Sequence, residues 1–198
     1  MSDTLKFLFR SNDLQKTNRY GNNPPFIEST AEHTFKLVLM VDYFYKEFEL
    51  DLDYQKCIHL ALYHDFGEMD LAKDVDIKEK SDQKIHEFKD AYEKDKIDEM
   101  ASLYYAPIRE YYYEYMEKKT EESLFVQAID KLDAIVHPLT VGEEIMNHEL
   151  FATYADKAIK GFPLFMPIYK ELKGIMRERY EKWRFTWEKE YDAVFEEE

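Results

Sequence analysis

The most regular hydrophobic pattern in this 198-residue chain lies in residues 33–48, HTFKLVLMVDYFYKEF. The segment is apolar on almost every side of a helical wheel, which predicts a central helix. Ser29, followed three residues later by Glu32, fits a capping box at the start of this helix. His33 lies on the stripe that includes Leu37, so its imidazole is predicted to lie inside the protein or at the edge of the core.

A second apolar stretch, DYQKCIHLALYHDFGEMD at residues 53–70, also repeats its apolar positions at helical spacing. Its stripe includes His64, and Gly67 is the expected terminator of the helix. The stretch is unusual because an apolar run is interrupted by His64, Asp65 and Glu68, which lie side by side around this glycine.

The rest of the chain is also predicted to be mainly helical. Glycine and proline, which supply most sharp turns, number only five and six. Further helices are expected at about residues 81–104, at 121–136 and, as one or two helices, within 143–192. In residues 109–119 the spacing of apolar residues does not decide the secondary structure. Because no internal repeat or linker composition is visible, the sequence predicts a single all-α domain over residues 1–198.

Acidic residues outnumber basic residues in this chain. Asp and Glu total 42 against 27 Lys and Arg, which gives a formal net charge of −15. Attraction to the phosphate backbone of nucleic acids comes from clustered Lys and Arg, so a nucleic-acid polymer is not expected as a partner. The single cysteine, Cys57, excludes an internal disulfide, and neither a signal peptide nor a run of about 18 apolar residues is visible. We therefore expect a cytoplasmic protein without a membrane partner.

Four side chains form a candidate metal site. His33 and His64 lie on the buried stripes of their predicted helices, Asp65 follows directly, and Asp130 falls on the core-facing side of the helix predicted at 121–136. A buried carboxylate is strongly destabilising unless a cation or a hydrogen-bond donor compensates its charge. Two imidazoles and two carboxylates suit Mn, Fe, Co, Ni or Zn and leave coordination positions open, which is typical of a catalytic metal site.

Each of these side chains taken alone has a simpler explanation. A histidine on an apolar helix face is often a core residue held by hydrogen bonds, and an adjacent His-Asp pair occurs by chance in many proteins. The spacing is therefore weak evidence unless the surrounding sequence also follows a known pattern.

Three segments, ESTAEHT at 28–34, ALYHDFGEMD at 61–70 and VQAIDKLDAIV at 126–136, resemble the successive motifs of the HD-domain phosphohydrolases. The three motifs follow the family order H…HD…D with similar separations. Over about residues 5–175, including TNRY at 17–20, the chain is most similar to the small bacterial 5′-deoxynucleotidases. The resemblance implies the helical HD-domain fold.

The resemblance also implies roles for individual residues. Glu68 matches the catalytic acid of the family, which would orient or deprotonate the attacking water while the metal lowers the pKa of that water. Arg19 falls where the family places an arginine on the substrate phosphate, a role that the planar guanidinium suits. One divalent ion (Mn, Co, Fe, Ni, Zn or Mg) would be held by His33, His64, Asp65 and Asp130.

Two positions depart from the pattern of the deoxynucleotidases. Next to the arginine that family has a tryptophan that crowds the sugar, whereas this chain has the smaller Tyr20, which is the predicted substrate-binding residue at this position. The family also has a Gly-Asp pair about five residues beyond the glutamate, with its Asp near the sugar hydroxyl. Here Asp74 follows a lysine instead. Asp74 is the predicted catalytic residue and the predicted contact to the sugar. Asp70 and Asp76 are alternatives for this role if the alignment with the family is shifted by a few residues.

The sequence thus predicts a metal-dependent phosphohydrolase of small nucleotides. The favoured reaction is that of a 5′-deoxynucleotidase, which converts a dNMP and water to a deoxynucleoside and phosphate, and the resemblance implies a homodimer. Two alternatives stay open. A related HD-domain reaction removes triphosphate from dNTPs, although one arginine near the pocket supplies few cations for a triphosphate. A non-catalytic acidic helical interaction protein would use the same polar groups structurally.

Overall fold

A computed structural model describes residues 14–19, 27–68, 83–141 and 148–196 of the chain, without the side chains of residues 83–87 and 90. The chain divides into two compact units, residues 1–126 and 127–198. Secondary structure in the described part is almost entirely helical, with one two-stranded ribbon, which confirms the predicted all-α class. Of the helices described, none is long and apolar enough to cross a membrane. The expectation of a single domain stays a prediction.

Where the structure describes it, the first unit consists of the ribbon followed by helices. Strand β1 (Asn18–Arg19) pairs antiparallel with β2 (Glu28–Ser29), so that Arg19 lies opposite Glu28. The helices follow as α1 (Thr30–Glu47), α2 (Tyr54–Tyr63), α3 (Gln83–Leu103), α4 (Pro107–Glu117) and α5 (Glu121–Val141), and α5 continues past residue 126. Helix α1 packs on α2, α2 on α4, and α3 on α4. The tyrosine-rich segment that the sequence left undecided is therefore helix α4.

The predicted capping box at the start of α1 is present. Ser29 Oγ accepts a hydrogen bond from the backbone N–H of Glu32 at 3.2 Å, and Glu32 Oε2 accepts one from the backbone N–H of Ser29 at 2.8 Å. The backbone N–H of Thr30 also donates to the carbonyl oxygen of Thr17 at 2.9 Å. The ribbon and the cap together therefore determine where α1 begins.

The apolar sequence of α1 predicts a central helix, but one face of this helix is exposed. His33 and Leu37 are fully buried, as the helical wheel predicts. On another face Phe35, Leu39 and Tyr43 are 66%, 54% and 58% exposed. The expectation was wrong because an apolar side chain does not by itself report burial, since apolar atoms contribute more than half of the surface of a typical folded protein.

Helix α2 ends at Tyr63, before the glycine that the sequence suggested as its terminator. His64 caps the helix with right-handed backbone geometry, and Phe66–Glu68 forms a 3₁₀ turn. Gly67 is required for a different reason: a Cβ atom on it would lie 2.9 Å from both Cβ and the carbonyl oxygen of Glu93 on α3. The glycine therefore allows the turn to lie directly against α3.

A hydrophobic cluster joins this turn to helices α3 and α4. Its buried members are Phe66, Ile97, Met100, Ile108 and Tyr112. Burying one large apolar side chain contributes about 1.5–3 kcal/mol to folding. The cluster therefore holds the 3₁₀ turn and the two helices together.

The described residues of the second unit form three further helices after α5. They are α6 (His148–Thr153), α7 (Asp156–Gly161) and α8 (Met166–Trp183), with 3₁₀ turns at Pro163–Phe165 and Lys189–Phe195, where the sequence predicted one or two helices. Lys173 of α8 is buried, forms an ion pair with Asp156 at 2.8 Å and donates to the carbonyl oxygen of Tyr191. This lysine therefore ties α7, α8 and the last 3₁₀ turn to one another.

Gly67→Ala should destabilise the first unit, because the new Cβ atom would overlap the backbone of α3. Overpacking of this kind costs about 1–3 kcal/mol of unfolding free energy. Gly174→Ala in α8 is the matched control, since nothing lies within 4 Å of a Cβ atom there, and it should stabilise the helix by about 0.5–1 kcal/mol. Urea unfolding followed by circular dichroism measures both changes. Equal effects of the two substitutions would contradict the close contact at Gly67.

Candidate metal and catalytic site

Three side-chain atoms converge in the first unit at residues that the sequence predicts as metal ligands. Nε2 of His33 lies 3.1 Å from Nε2 of His64. Oδ2 of Asp65 lies 3.1 Å from Nε2 of His64 and 3.8 Å from Nε2 of His33. Both imidazoles are buried. Helix α1 and the residues directly after α2 therefore bring these three predicted ligands together.

The hydrogen bonding of His64 determines which of its nitrogens can bind a cation. Nδ1 lies 2.8 Å from the carbonyl oxygen of Ala61. A carbonyl oxygen only accepts hydrogen bonds, so Nδ1 carries the proton, and in the neutral imidazole Nε2 keeps its lone pair. A cation bound here would meet Nε2 of the neutral His64 imidazole, with Nε2 of His33 and Oδ2 of Asp65 beside it.

The spacing of the three atoms fits one metal ion. Two ligand atoms that each lie about 2.1 Å from one ion are roughly 3.0–3.4 Å apart at octahedral or tetrahedral angles. The two separations of 3.1 Å lie within this range, and the separation of 3.8 Å is slightly longer. The donor set of imidazole nitrogen and carboxylate oxygen therefore fits a divalent metal ion.

Arg19, the predicted phosphate ligand, lies next to these atoms. Its Nη1 donates to Oδ2 of Asp65 at 2.8 Å, and its Nε lies 3.6 Å from Oε2 of Glu28. Burial alone raises the pKa of the Asp65 carboxyl, but attraction to the imidazoles and to the guanidinium outweighs it and holds the pKa well below its usual range. Asp65 is therefore ionised, as a metal ligand must be.

Glu28 on β2 adds a buried carboxylate beside Arg19. Its Oε1 lies 2.5 Å from Nζ of Lys36 on α1, while Oε2 faces the guanidinium. Sequence reasoning missed Glu28 and Lys36, because they lie on different elements and only the register of the ribbon places Glu28 opposite the arginine.

Glu68, the predicted catalytic glutamate, is buried, and both of its carboxylate oxygens accept hydrogen bonds. Thr30 Oγ1 donates to Oε2 at 3.0 Å, and Lys89 Nζ donates to Oε1 at 2.8 Å. Thr17 Oγ1 donates to the backbone carbonyl of the glutamate at 3.2 Å. Because Thr30 precedes His33 by about one turn of α1, the same helix positions a predicted ligand and this carboxylate.

Lys89 and Glu93 of α3 join the site although the sequence did not indicate them. Lys89 Nζ lies 3.3 Å from Oε1 of Glu93, and the hydroxyl of Tyr112 donates to Oε2 of Glu93 at 3.1 Å. Lys and Glu four residues apart in a charged segment usually indicate an exposed ion pair. The spacing of Lys89 and Glu93 therefore predicts that they form an ion pair, but it does not predict that the pair is buried.

Asp130 belongs to the second unit. Its side chain is buried, and its Oδ2 accepts a hydrogen bond from Lys131 Nζ at 2.6 Å. The expectation that α5 buries this carboxylate is confirmed. Its role as the fourth metal ligand stays a prediction.

The predicted sugar-side residues cannot be placed in the same way. Tyr20 and Asp74, together with the alternatives Asp70 and Asp76, lie outside the described residues. Their roles in binding substrate, and that of Asp74 in catalysis, stay predictions.

The described fold is all-α, and it brings two buried imidazoles and the carboxylate of Asp65 together at residues that the sequence predicts as metal ligands. The family model for the HD domain matches residues 2–159. The chain therefore belongs to the HD-domain family, as the three sequence motifs implied. No curated protein sequence matches the chain.

Solved structures share this fold. The PH0347 protein of Pyrococcus horikoshii OT3 is 21% identical with a TM-score of 0.66, over 87% of this chain and 98% of that one. A predicted metal-dependent phosphohydrolase from Magnetospirillum magnetotacticum MS-1 is 20% identical with a TM-score of 0.66, over 91% and 90%. A conserved hypothetical protein from Pyrococcus furiosus is 19% identical with the same TM-score, over 87% and 99%. At such identities the likeness shows the fold alone.

Adding Mn²⁺, Co²⁺ or Zn²⁺ to metal-free protein should raise its thermal stability, because an ion that binds only the folded state stabilises it by about 2.7 kcal/mol at 100 times its Kd. His64→Gln should abolish this rise, since it removes a ligand nitrogen. His59→Gln on the same helix is the control, because His59 packs against Tyr111 with ring centroids 4.8 Å apart. Thermal unfolding and metal analysis after dialysis measure the effect. An equal rise in both variants would contradict the site.

Glu93 should make the stability of the first unit depend on pH. Burial raises the pKa of its carboxyl from 4.5 to about 7, against the attraction of Lys89 and with added repulsion from Glu68 and Asp65. The carboxyl of Glu93 also accepts the Tyr112 hydroxyl. In the unfolded chain it ionises near pH 4.5, so the folded state binds more protons between these values. Stability is therefore complete below about pH 4.5 and declines as the pH rises through about 7.

Glu93→Gln removes this titration and keeps an oxygen for the Tyr112 hydroxyl. Wild type should lose about 2–3 kcal/mol of unfolding free energy through this titration as the pH rises from 5 to 8, and the variant should not. The unfolding free energy of the variant minus that of wild type should therefore rise by this amount. Any difference in packing or in the contact with Lys89 is independent of pH and cancels in this comparison. Urea unfolding across the pH range measures it, with the exposed Glu110→Gln as control. A difference that stays constant across this range would show that Glu93 titrates normally.

Proposed function

We propose that this chain is a metal-dependent phosphohydrolase of small nucleotides and, within that class, a 5′-deoxynucleotidase that converts a dNMP and water to a deoxynucleoside and phosphate. The observation that carries the class is the convergence of Nε2 of His33, Nε2 of His64 and Oδ2 of Asp65. Membership of the HD-domain family and the likeness to a predicted metal-dependent phosphohydrolase support it. The choice of a deoxynucleoside monophosphate rests on the motif resemblance.

The proposed ion is held by His33, His64 and Asp65, with Asp130 as the predicted fourth ligand. When bound, a divalent ion supplies Lewis-acid activation of water and of a phosphoryl oxygen. The chain's own residues contribute lone pairs and a fixed negative charge: the His64 tautomer leaves Nε2 available, and the depressed pKa of Asp65 keeps its carboxylate ionised.

Glu68 is the proposed proton acceptor. Each carboxylate oxygen has two lone-pair directions, so the bonds from Thr30 and Lys89 leave further capacity to accept a proton from water. General-base assistance of this kind contributes about 10²–10⁴ to a rate. Because the side chain is buried and held, its orientation is set before substrate binds.

Arg19 is the proposed phosphate ligand. Its guanidinium already pairs with Asp65 and lies near Glu28, and phosphate oxygens suit the same planar fork of donors. A phosphate at this position would lie beside the ligand cluster. Tyr20 and Asp74 are proposed to contact the sugar, and a homodimeric state and a cytoplasmic setting stay predictions.

The proposed reaction is tested by incubating purified protein with a panel of dNMPs, NMPs and dNTPs in the presence of Mn²⁺, Co²⁺ or Mg²⁺. Release of inorganic phosphate from dNMPs is expected. Glu68→Gln should lower kcat by about 10²-fold or more and keep the metal, because it removes only the proton acceptor. Asp65→Ala should lose both metal and activity, whereas the exposed Glu110→Gln should change neither.

Other products would select the alternatives. Tripolyphosphate released from dNTPs would assign the triphosphohydrolase reaction instead. Release of no phosphate from any nucleotide by metal-loaded protein would rule out the proposed function. Absence of bound metal as well would favour the non-catalytic interaction protein.

A further inference from the structure

We infer that Lys89 of α3 is a positioning residue that acts through Glu68, and this inference rests on the proposed function, in which Glu68 accepts the proton. Nζ of Lys89 lies 2.8 Å from Oε1 of Glu68 and 3.3 Å from Oε1 of Glu93. The lysine side chain is only 17% exposed, and lysine is rarely buried unless it is paired. Its ammonium therefore lies between two buried carboxylates.

The bond from Lys89 completes a hold on both oxygens of Glu68. Thr30 fixes Oε2 and Lys89 fixes Oε1. The terminal torsion of a glutamate has a broad energy minimum, so one donor leaves the carboxylate plane poorly determined. Two donors on different oxygens determine it. The ammonium is the stronger of the two, since a charge-assisted bond is roughly twice as strong as a neutral one.

Glu93 fixes the position of Lys89 in turn. Its Oε2 accepts the hydroxyl of Tyr112, which belongs to the hydrophobic cluster, and its Oε1 faces the ammonium. Gly67 brings the turn that carries Glu68 against this part of α3, because a side chain there would meet Glu93 at 2.9 Å. A continuous series of contacts thus runs from the core through Glu93 and Lys89 to the proposed proton acceptor.

This arrangement predicts a specific kinetic defect. Lys89→Met removes the ammonium and keeps most of the apolar stem, so the Glu68 carboxylate should lose its orientation while the metal ligands stay in place. A misplacement of about 1 Å can cost about 10²-fold in rate. We expect kcat to fall by about 30- to 100-fold with KM and metal content nearly unchanged. Lys89→Arg should recover part of kcat, since it restores a cation.

Two comparisons separate positioning from a general structural effect. Lys96→Met on the same helix removes an ammonium that pairs with Glu99 at 3.2 Å, and it should leave kcat unchanged. In the Glu68→Gln background, Lys89→Met should produce little further loss, because the two residues act on one step. The same full loss in that background would overturn the inference. An effect on KM alone would also overturn it, since Lys89 would then bind substrate directly.

Failure of the proposed function would be visible separately. If metal-loaded wild type released no phosphate from any nucleotide, the contact itself would still be tested by thermal unfolding of metal-free Lys89→Met, Glu68→Gln and the double variant. We expect the double variant to melt about 2–4 °C higher than the sum of the single effects predicts. Additive shifts would overturn the inference whatever the activity.

Discussion

At Gly67 the turn after α2 lies against the backbone of α3 with no room for a side chain. Glu93 is the residue at this contact, and its carboxylate meets the hydroxyl of Tyr112 on one side and the ammonium of Lys89 on the other. Lys89 reaches Glu68 only because the turn and the helix are this close. An N–H···O hydrogen bond usually spans about 2.7–3.2 Å, so moving the turn away from α3 by the width of a methyl group would take Oε1 of Glu68 out of reach of the Lys89 ammonium.

Burying several ionisable groups in one small region is destabilising unless each is paired. In the described part of the first unit, two cations near the predicted site each lie between two carboxylates. Arg19 lies between Asp65 and a carboxylate of the ribbon, and Lys89 lies between Glu68 and Glu93. Loss of Lys89 would therefore remove the ammonium that faces two buried carboxylates. Asp65 faces two imidazoles on its other side, which is why a divalent cation fits there.

Local signals in the sequence predicted the start of α1 and the burial of His33, because a capping box and a helical stripe depend on residues within one or two turns. The His-Asp pair after α2 was predicted through its motif. The prediction that α2 ends at Gly67 was wrong, because this glycine is needed for its contact with a helix that is distant in sequence. Lys89 and Glu93 were missed for the same reason: their i,i+4 spacing is local, but their burial depends on tertiary packing.

A glutamate on a 3₁₀ turn would ordinarily sample several orientations, because such turns are short and leave most side-chain torsions free. Here separate segments of the chain hold Glu68: Thr17 holds its backbone, Thr30 holds one oxygen, and Lys89 holds the other. The entropy of ordering this side chain is therefore lost during folding, and not when substrate binds. A carboxylate oriented in this way needs dense packing around it. Glu68 is buried and shares its 3₁₀ turn with Phe66, a member of the hydrophobic cluster, so the packing that holds the turn also limits the movement of this side chain.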